Sequence, residues 1–311
     1  MTQEEVKKWI HSILIDVNFG IDLFTVLKNN KNFETRKMLI NPKLYELIKQ
    51  KILSFSKKDI LSEDFELDIA KNIATSRNIF YEIIQSNSYR PFSFININLE
   101  KVKNYTEKEK LRLTGFLIRI HRNNNLFWIY QHKYPTTLIK RDSSLFAILN
   151  GNVYEPLERD IVKFEDKADI YIINNSIITK KINIMQNIFG FEEYIRIEAS
   201  KTVDQIRSVD IVSDLSQLIN LLNKPKLTVA KKLMKAKDSP VTKIPKEILL
   251  TRIKTHDYYS KKIFIDKDNK KIVIKSQVQA KEFLKMLNDD ILFSKLTEND
   301  YTSIDKEILK N

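Results

Sequence analysis

The sequence predicts an α+β protein: a mixed, β-rich N-terminal part containing an antiparallel meander, then a mainly helical, basic C-terminal part. Three observations predict it. Apolar residues alternate at a period of two through many short segments before Lys180. Asn-rich dipeptides and tripeptides, the usual positive-φ turn formers where Gly is scarce, separate those segments. From Phe191 onward the apolar spacing becomes that of a helix, and lysine accumulates.

At the N-terminus Thr2 and Glu5 have capping-box spacing, and Val6, Trp9, Ile10, Ile13 and Leu14 follow as one apolar stripe, which predicts a helix. Ile21 to Leu27 and Phe33 to Ile40 alternate like strands around the turn Asn29-Asn30-Lys31-Asn32. Pro42 opens a second helix, with Leu44, Leu47, Ile48 and Ile52 on one face. Asn78 to Ile84 and Pro91 to Leu99 are expected to be strands. Leu113 to Ile120 and Leu126 to Tyr134 flank Arg122-Asn123-Asn124-Asn125; Leu145 to Leu149 and Val153 to Leu157 flank Asn150-Gly151-Asn152; Ala168 to Ile173 and Ser176 to Lys180 flank Asn174-Asn175. Three such pairs in succession predict a meander from Leu113 to Lys180.

Helical periodicity then runs through Phe191 to Arg207, Asp214 to Leu222 and Leu227 to Ala236, punctuated by Pro225 and Ser239-Pro240. Pro245 opens a helix to about Thr255. Ile263 to Ile265 and Lys271 to Ile274 read as a hairpin, and Gln277 to Leu287 as the last helix. The expected domains are 1–190, mixed and β-rich, and 191–311, mainly helical and basic.

The 311 residues are 42 % hydrophobic and 30 % charged, the composition of a globular chain able to bury a core. The absence of cysteine excludes disulfides, thiolate metal sites and a cysteine nucleophile, and fits a reducing cytoplasm. Met1 to Asp16 carries Glu4, Glu5, Lys7 and Lys8 within its amphipathic pattern, unlike a signal peptide. No apolar run reaches spanning length, so direct membrane insertion is not expected.

Charge is the strongest functional signal. Between Lys224 and Lys262 lie Lys224, Lys226, Lys231, Lys232, Lys235, Lys237, Lys243, Lys246, Arg252, Lys254, Lys261 and Lys262, opposed only by Asp238, Glu247 and Asp257. Nine of the chain's net +13 charges therefore fall in this stretch, which points to a polyanion: nucleic acid first, an anionic membrane surface second. Lys231 and Lys235 share a helical face, where like charges repel and an anion would relieve them. Ser239 and Thr242 are expected to add neutral phosphate contacts. No base-reading motif accompanies the lysines, so backbone binding with little sequence specificity is expected. The same lysines also suit a merely solvated helix surface.

Catalytic signatures are missing. There is no GxSxG, no Gly-rich phosphate loop and no HExxH, and His11, His121, His132 and His256 are scattered. No cofactor or metal site is expected. A carboxylate-metal nuclease would have to draw on Asp160, Glu165, Asp166, Lys167 and Asp169, or on Asp289-Asp290; for both groups a polar edge or turn is the simpler reading. Trp128, Tyr130, His132 and Tyr134 alternate onto one strand face, as in a base-stacking platform. Phe127 and Ile129 make the other face apolar too, which favours core packing.

Four segments carry a resemblance. Phe283-Leu284-Lys285-Met286-Leu287-Asn288-Asp289-Asp290-Ile291-Leu292-Phe293-Ser294-Lys295-Leu296-Thr297 with Tyr301, Ala230 to Lys235 leading to Ser239-Pro240-Val241, Phe189 to Ile195, and Trp128 to Gln131 together resemble the Kiwa B-subunit family, KwaB. The resemblance covers about Leu113 to Thr297 and leaves residues before about Glu100 unassigned. It implies a cytoplasmic anti-phage defence protein that binds double-stranded DNA and self-associates as a homodimer or higher homo-oligomer. It also implies a membrane-embedded Kiwa A subunit as partner, able to recruit the chain to the inner face of the cell membrane, and action without nuclease chemistry. It supplies no catalytic residue. The alternatives that remain are a divergent carboxylate-metal nuclease in the same role and an interaction scaffold docking on a membrane partner.

Overall fold

The computed structural model describes the chain except residues 31, 71–78, 96–98, 135–137, 140–146, 151–152, 157–160, 238, 267, 269, 295–298 and 303–311; of 107, 138–139, 147–150, 153–156, 292–294 and 299–302 it describes the backbone alone. The chain divides into two compact units, Met1–Ile184 and Met185–Asn311.

The first unit opens with α1 (Gln3–Leu14). Its capping box forms: the Thr2 hydroxyl accepts from the Glu5 amide at 3.2 Å, and the Glu5 carboxylate accepts from the Thr2 amide at 2.7 Å. Next come β1 (Gly20–Asn29), β2 (Asn32–Lys37), α2 (Pro42–Lys58), β3 (Leu67–Ile69) and β4 (Phe80–Ile84). The remaining strands are β5 (Leu113–Arg122), β6 (Asn125–His132), β7 (Leu138–Ile139), β8 (Ala147–Asn150), β9 (Val153–Pro156), β10 (Ile161–Val162), β11 (Ile170–Ile173) and β12 (Ser176–Thr179). Eight of them form one sheet in the order β2-β1-β5-β6-β11-β12-β4-β3, antiparallel except for the β3–β4 edge pair. Asparagine supplies the turns as expected, with Asn30, Asn123 and Asn174 at φ values of 54°, 53° and 51°.

The expected meander is present as β5-β6-β11-β12, but the hairpin β8–β9 and the pair β7–β10 lie outside the main sheet as separate two-stranded ribbons. Among the described residues, Pro91 to Leu99 holds no strand. Ser93–Ile95 and Leu99–Lys101 are 3₁₀ turns, held by bonds such as Ser93 N–H to Arg90 C=O and Ile95 N–H to Phe92 C=O. Pro91 cannot donate to a ladder, and Phe92 instead drives into the sheet.

Both sheet faces are covered. On one, α1 and α2 pack Val6, Ile10, Ile13, Ile48 and Ile52 against Ile21, Leu23, Ile118, Ile120, Phe127 and Ile129. On the other, the Phe24 and Trp128 rings lie 5.9 Å apart and the Phe92 and Tyr130 rings 6.1 Å apart. Gly115 sits beneath Tyr130, where a Cβ would collide with that ring and with the Gln131 carbonyl.

The boundary between the units falls within α3 (Ile182–Asn187), a helix the periodicity does not reveal. The second unit continues with α4 (Phe191–Ser208), α5 (Ser216–Leu222), α6 (Thr228–Ala236), α7 (Lys246–Thr255), α8 (Tyr259–Lys262), the hairpin β13 (Phe264–Asp266) and β14 (Lys271–Val273), α9 (Gln277–Leu287), and the hairpin β15 (Ile291–Ser294) and β16 (Asn299–Thr302). Its core gathers Ile195, Ala199 and Val203 of α4, Leu218 and Leu221 of α5, Ala230 and Leu233 of α6, and Phe283 and Leu284 of α9. The Ser276 hydroxyl caps α9 by accepting from the Gln279 amide.

Candidate nucleic-acid interface

The basic block runs from the end of α5 to the end of α8. On α6, Ala230, Leu233, Met234 and Ala236 are buried, which leaves Lys231, Lys232 and Lys235 half-exposed on the remaining surface. Lys224 and Lys226, in the connection between α5 and α6, and Lys243, Arg252, Lys254, Lys261 and Lys262, in the Pro240–Lys243 turn and on α7 and α8, are exposed. On α7 the buried residues Leu249, Leu250 and Ile253 force Arg252 and Lys254 outward by helical geometry alone.

Lys232, Lys237 and Lys246 are held against acidic residues inside the unit. Lys232 Nζ lies 2.7 Å from Asp290, whose side chain is 5 % exposed. Lys237 lies 3.2 Å from Glu198, a buried carboxylate that also holds Lys201 at 2.7 Å. Lys246 donates to the Asp210 carbonyl at 2.9 Å, while the Asp210 carboxylate receives Lys271 at 2.6 Å. Lys232 has Asp290 to itself, whereas Lys237 shares Glu198 with Lys201 and Lys246 shares Asp210 with Lys271, so the three are drawn toward acidic residues outside the block but only partly neutralised. Lys224 donates to the neutral Gln277 amide oxygen at 2.7 Å and keeps its charge uncompensated there.

Lys231 differs from its neighbours. It is half-buried, and among the described residues no carboxylate stands within ion-pair distance. Burial pulls the pKa of its ammonium below the ordinary lysine value. An anion beside it would reverse that penalty.

Ser239 and Thr242 do not offer the expected phosphate contacts. Ser239 is buried and its hydroxyl accepts from the Val241 amide, capping the Pro240–Lys243 turn; the Thr242 hydroxyl donates to the Ser239 carbonyl at 2.7 Å. At the start of α8 the His256 ring Nδ1 accepts from the Tyr258 amide at 3.2 Å, so the residue supports the segment that presents Lys261 and Lys262.

The carboxylates considered for metal chemistry do not converge. Asp160 lies outside the described residues. Glu165 pairs with Lys163 at 3.0 Å, Asp166 pairs with Lys51, and Lys167 stands 4.7 Å from the centre of the Tyr134 ring. Asp169 is buried, accepting from the His132 amide and the Tyr134 hydroxyl, each at 2.8 Å. Asp290 is held by Lys232, and Asp289 occupies a left-handed turn at φ 52°. Among the described residues no group of three or more His, Cys, Asp or Glu side chains could hold a metal ion. The aromatic strand is core: Trp128 is 7 % exposed and Tyr130 0 %. Burial also pushes the Tyr130 hydroxyl's pKa far above its ordinary value.

Fold and surface together define a two-unit α+β protein whose second unit presents lysines and one arginine on helices packed around a small core. The chain belongs to the Kiwa protein KwaB-like family, whose profile matches residues 110–297. That span includes the whole basic block and the four segments that carry the resemblance, apart from Tyr301. A curated relative, the Kiwa protein KwaB of Escherichia coli O55:H7 (strain RM12579 / EPEC), is 23 % identical over 319 residues, covering 99 % of each chain. That alignment also covers nearly all of the residues before 110, which lie outside the family profile. No solved structure matches. Family membership implies a role in anti-phage defence. Among the described residues, no helix is long and apolar enough to cross a membrane.

Proposed function

We propose that this protein acts in anti-phage defence by binding double-stranded DNA through its backbone phosphates, with little sequence specificity and without cutting it. One observation carries the reading: after internal pairing claims Lys232, Lys237 and Lys246, the exposed residues Lys226, Lys243, Arg252, Lys254, Lys261 and Lys262 still crowd one short stretch of the second unit. Cations of this kind gain by releasing counterions from a phosphate backbone, and that gain does not depend on base sequence. The half-buried Lys231 adds a site where an anion offsets an existing desolvation cost. In this reading the chain works in the cytoplasm as a homo-oligomer, recruited to the inner face of the cell membrane by a membrane-embedded Kiwa partner subunit. The Kiwa name of the E. coli relative supports a partner of the same system.

The test is a salt titration of binding to a labelled duplex, with and without Mg²⁺ or Mn²⁺. The slope of log affinity against log salt is expected to flatten by about 0.9 for each phosphate contact removed. The pairs Lys261→Glu with Lys262→Glu, and Lys231→Glu with Lys235→Glu, should each weaken binding to unrelated duplexes alike. Unchanged affinity and slope in both pairs would place the interface elsewhere. Divalent metal should leave the duplex intact; metal-dependent cleavage would replace this reading with a nuclease.

A further inference from the structure

A cleft of about 220 Å³ lies wholly within the second unit, between the C-terminal half of α4, the Pro240–Ile244 turn and α7. Its walls include Ile206, Ile211, Leu249 and Leu287, each buried, and Val209, which is half-exposed. Two exposed polar side chains, Gln205 and Lys237, also line it. Apolar walls with a few polar groups at one place are the usual make-up of a small-molecule site. The sign of the charge available there narrows the class of ligand.

Lys237 is bound to Glu198, but Glu198 does not depend on it. Lys201 holds the same carboxylate at 2.7 Å, against 3.2 Å for Lys237. Lys237 can therefore turn to an incoming anion without leaving a buried carboxylate alone, the event that makes breaking buried ion pairs costly. Lys232 has no such freedom: among the described residues, Asp290 has no second ammonium within ion-pair distance. Gln205 makes no side-chain hydrogen bond among the described residues, and its amide N–H₂ is a second donor for an anionic head.

We infer that this cleft binds a short aliphatic monoanion, its carboxylate held by Lys237 and Gln205 and its alkyl chain against Ile206, Ile211, Leu249 and Leu287. The site is separate from the DNA-binding reading, and its test contains no DNA, so either can fail alone. Calorimetric titration of the full chain with butanoate, pentanoate and hexanoate should show affinity rising about fourfold per added methylene while the chain stays in the cleft. Hexylamine, with the opposite charge, should not bind. Lys237→Met should weaken hexanoate at least tenfold while lowering the melting midpoint by less than Lys232→Met does, because Glu198 retains Lys201. Leu249→Phe, which fills the cleft, should remove the chain-length dependence. Absence of hexanoate binding, equal binding by Lys237→Met, or equal binding of hexylamine would each overturn the inference.

Discussion

Replacing Trp128 with alanine tests whether the aromatic strand is a core element or a nucleic-acid surface. Trp128 lies in the interior of the eight-stranded sheet, opposite Arg119 of β5 and Ile172 of β11, with its ring 5.9 Å from Phe24. At 7 % exposure it has no face left to stack on a base. Truncating a buried tryptophan leaves a cavity the sheet cannot collapse, at a cost of about 3–5 kcal/mol. For a unit of this size each kcal/mol lowers the midpoint by about 2–4 °C, so the fall should be on the order of 6–20 °C. Melting is followed by circular dichroism. Emission is followed in a Trp9→Phe background, which itself loses the 3.2 Å bond from the Trp9 indole N–H to the Leu126 carbonyl. Emission from the remaining Trp128 should be blue-shifted, resistant to iodide and indifferent to single-stranded DNA. A Trp128→Ala protein that melts like its parent but loses single-strand binding would refute the reasoning and move the interface to β6.

Other perturbations follow from the same structure. Gly115→Ala should destabilise the first unit by about 1–3 kcal/mol, read by denaturant unfolding, because the new Cβ has only the Tyr130 ring and the Gln131 carbonyl to move. Lys232→Met should cost between the ~1 kcal/mol of an exposed pair and the ~3 kcal/mol of a buried one, since Asp290 is buried while Lys232 is 33 % exposed; Lys226→Met, which has no such partner among the described residues, should be neutral in the same melt. Acid should weaken the protein in two windows. Burial lowers the pKa of His132 below 6.5, against the opposing pull of Asp169, so its unfolded form binds the proton more readily and stability falls as pH drops below 6.5. Glu198 is raised by burial but lowered further by hydrogen bonds from Lys201 and Lys237, to a net value below 4.5; its contribution is present above that pH and is lost below it, and Glu198→Gln should flatten that second fall in a pH series of melts.

Much of the architecture is legible locally because local geometry decides it. The capping box at Thr2 and Glu5, the asparagine turns at Asn30, Asn123 and Asn174, and the helix Gln277–Leu287 with its Ser276 cap each depend on residues a few positions apart. Leu249, Leu250 and Ile253 likewise turn Arg252 and Lys254 outward through the period of one helix. Pro91 to Ile95 shows the limit of that approach: an apolar, strand-like pattern forms a turn, with Pro91 unable to donate to a ladder and the Phe92 ring 6.1 Å from that of Tyr130.

The sequence by itself determined the α+β class, the turn chemistry and the concentration of positive charge between Lys224 and Lys262. Only the tertiary structure decided which of those charges are available. Lys232 reaches Asp290, 58 residues on; Lys237 reaches back 39 residues to Glu198; Lys246 reaches back 36 to Asp210. No periodicity encodes such pairings, because they depend on how α4, α6 and the end of α9 pack. For Trp128 and Tyr130 the apolar residues Phe127 and Ile129 already favoured a core strand, and the tertiary structure supplied the partners that cover them, Phe24 and Phe92. Charge adds up along a chain, whereas its neutralisation is a property of distances, and distances are fixed only when the helices have packed.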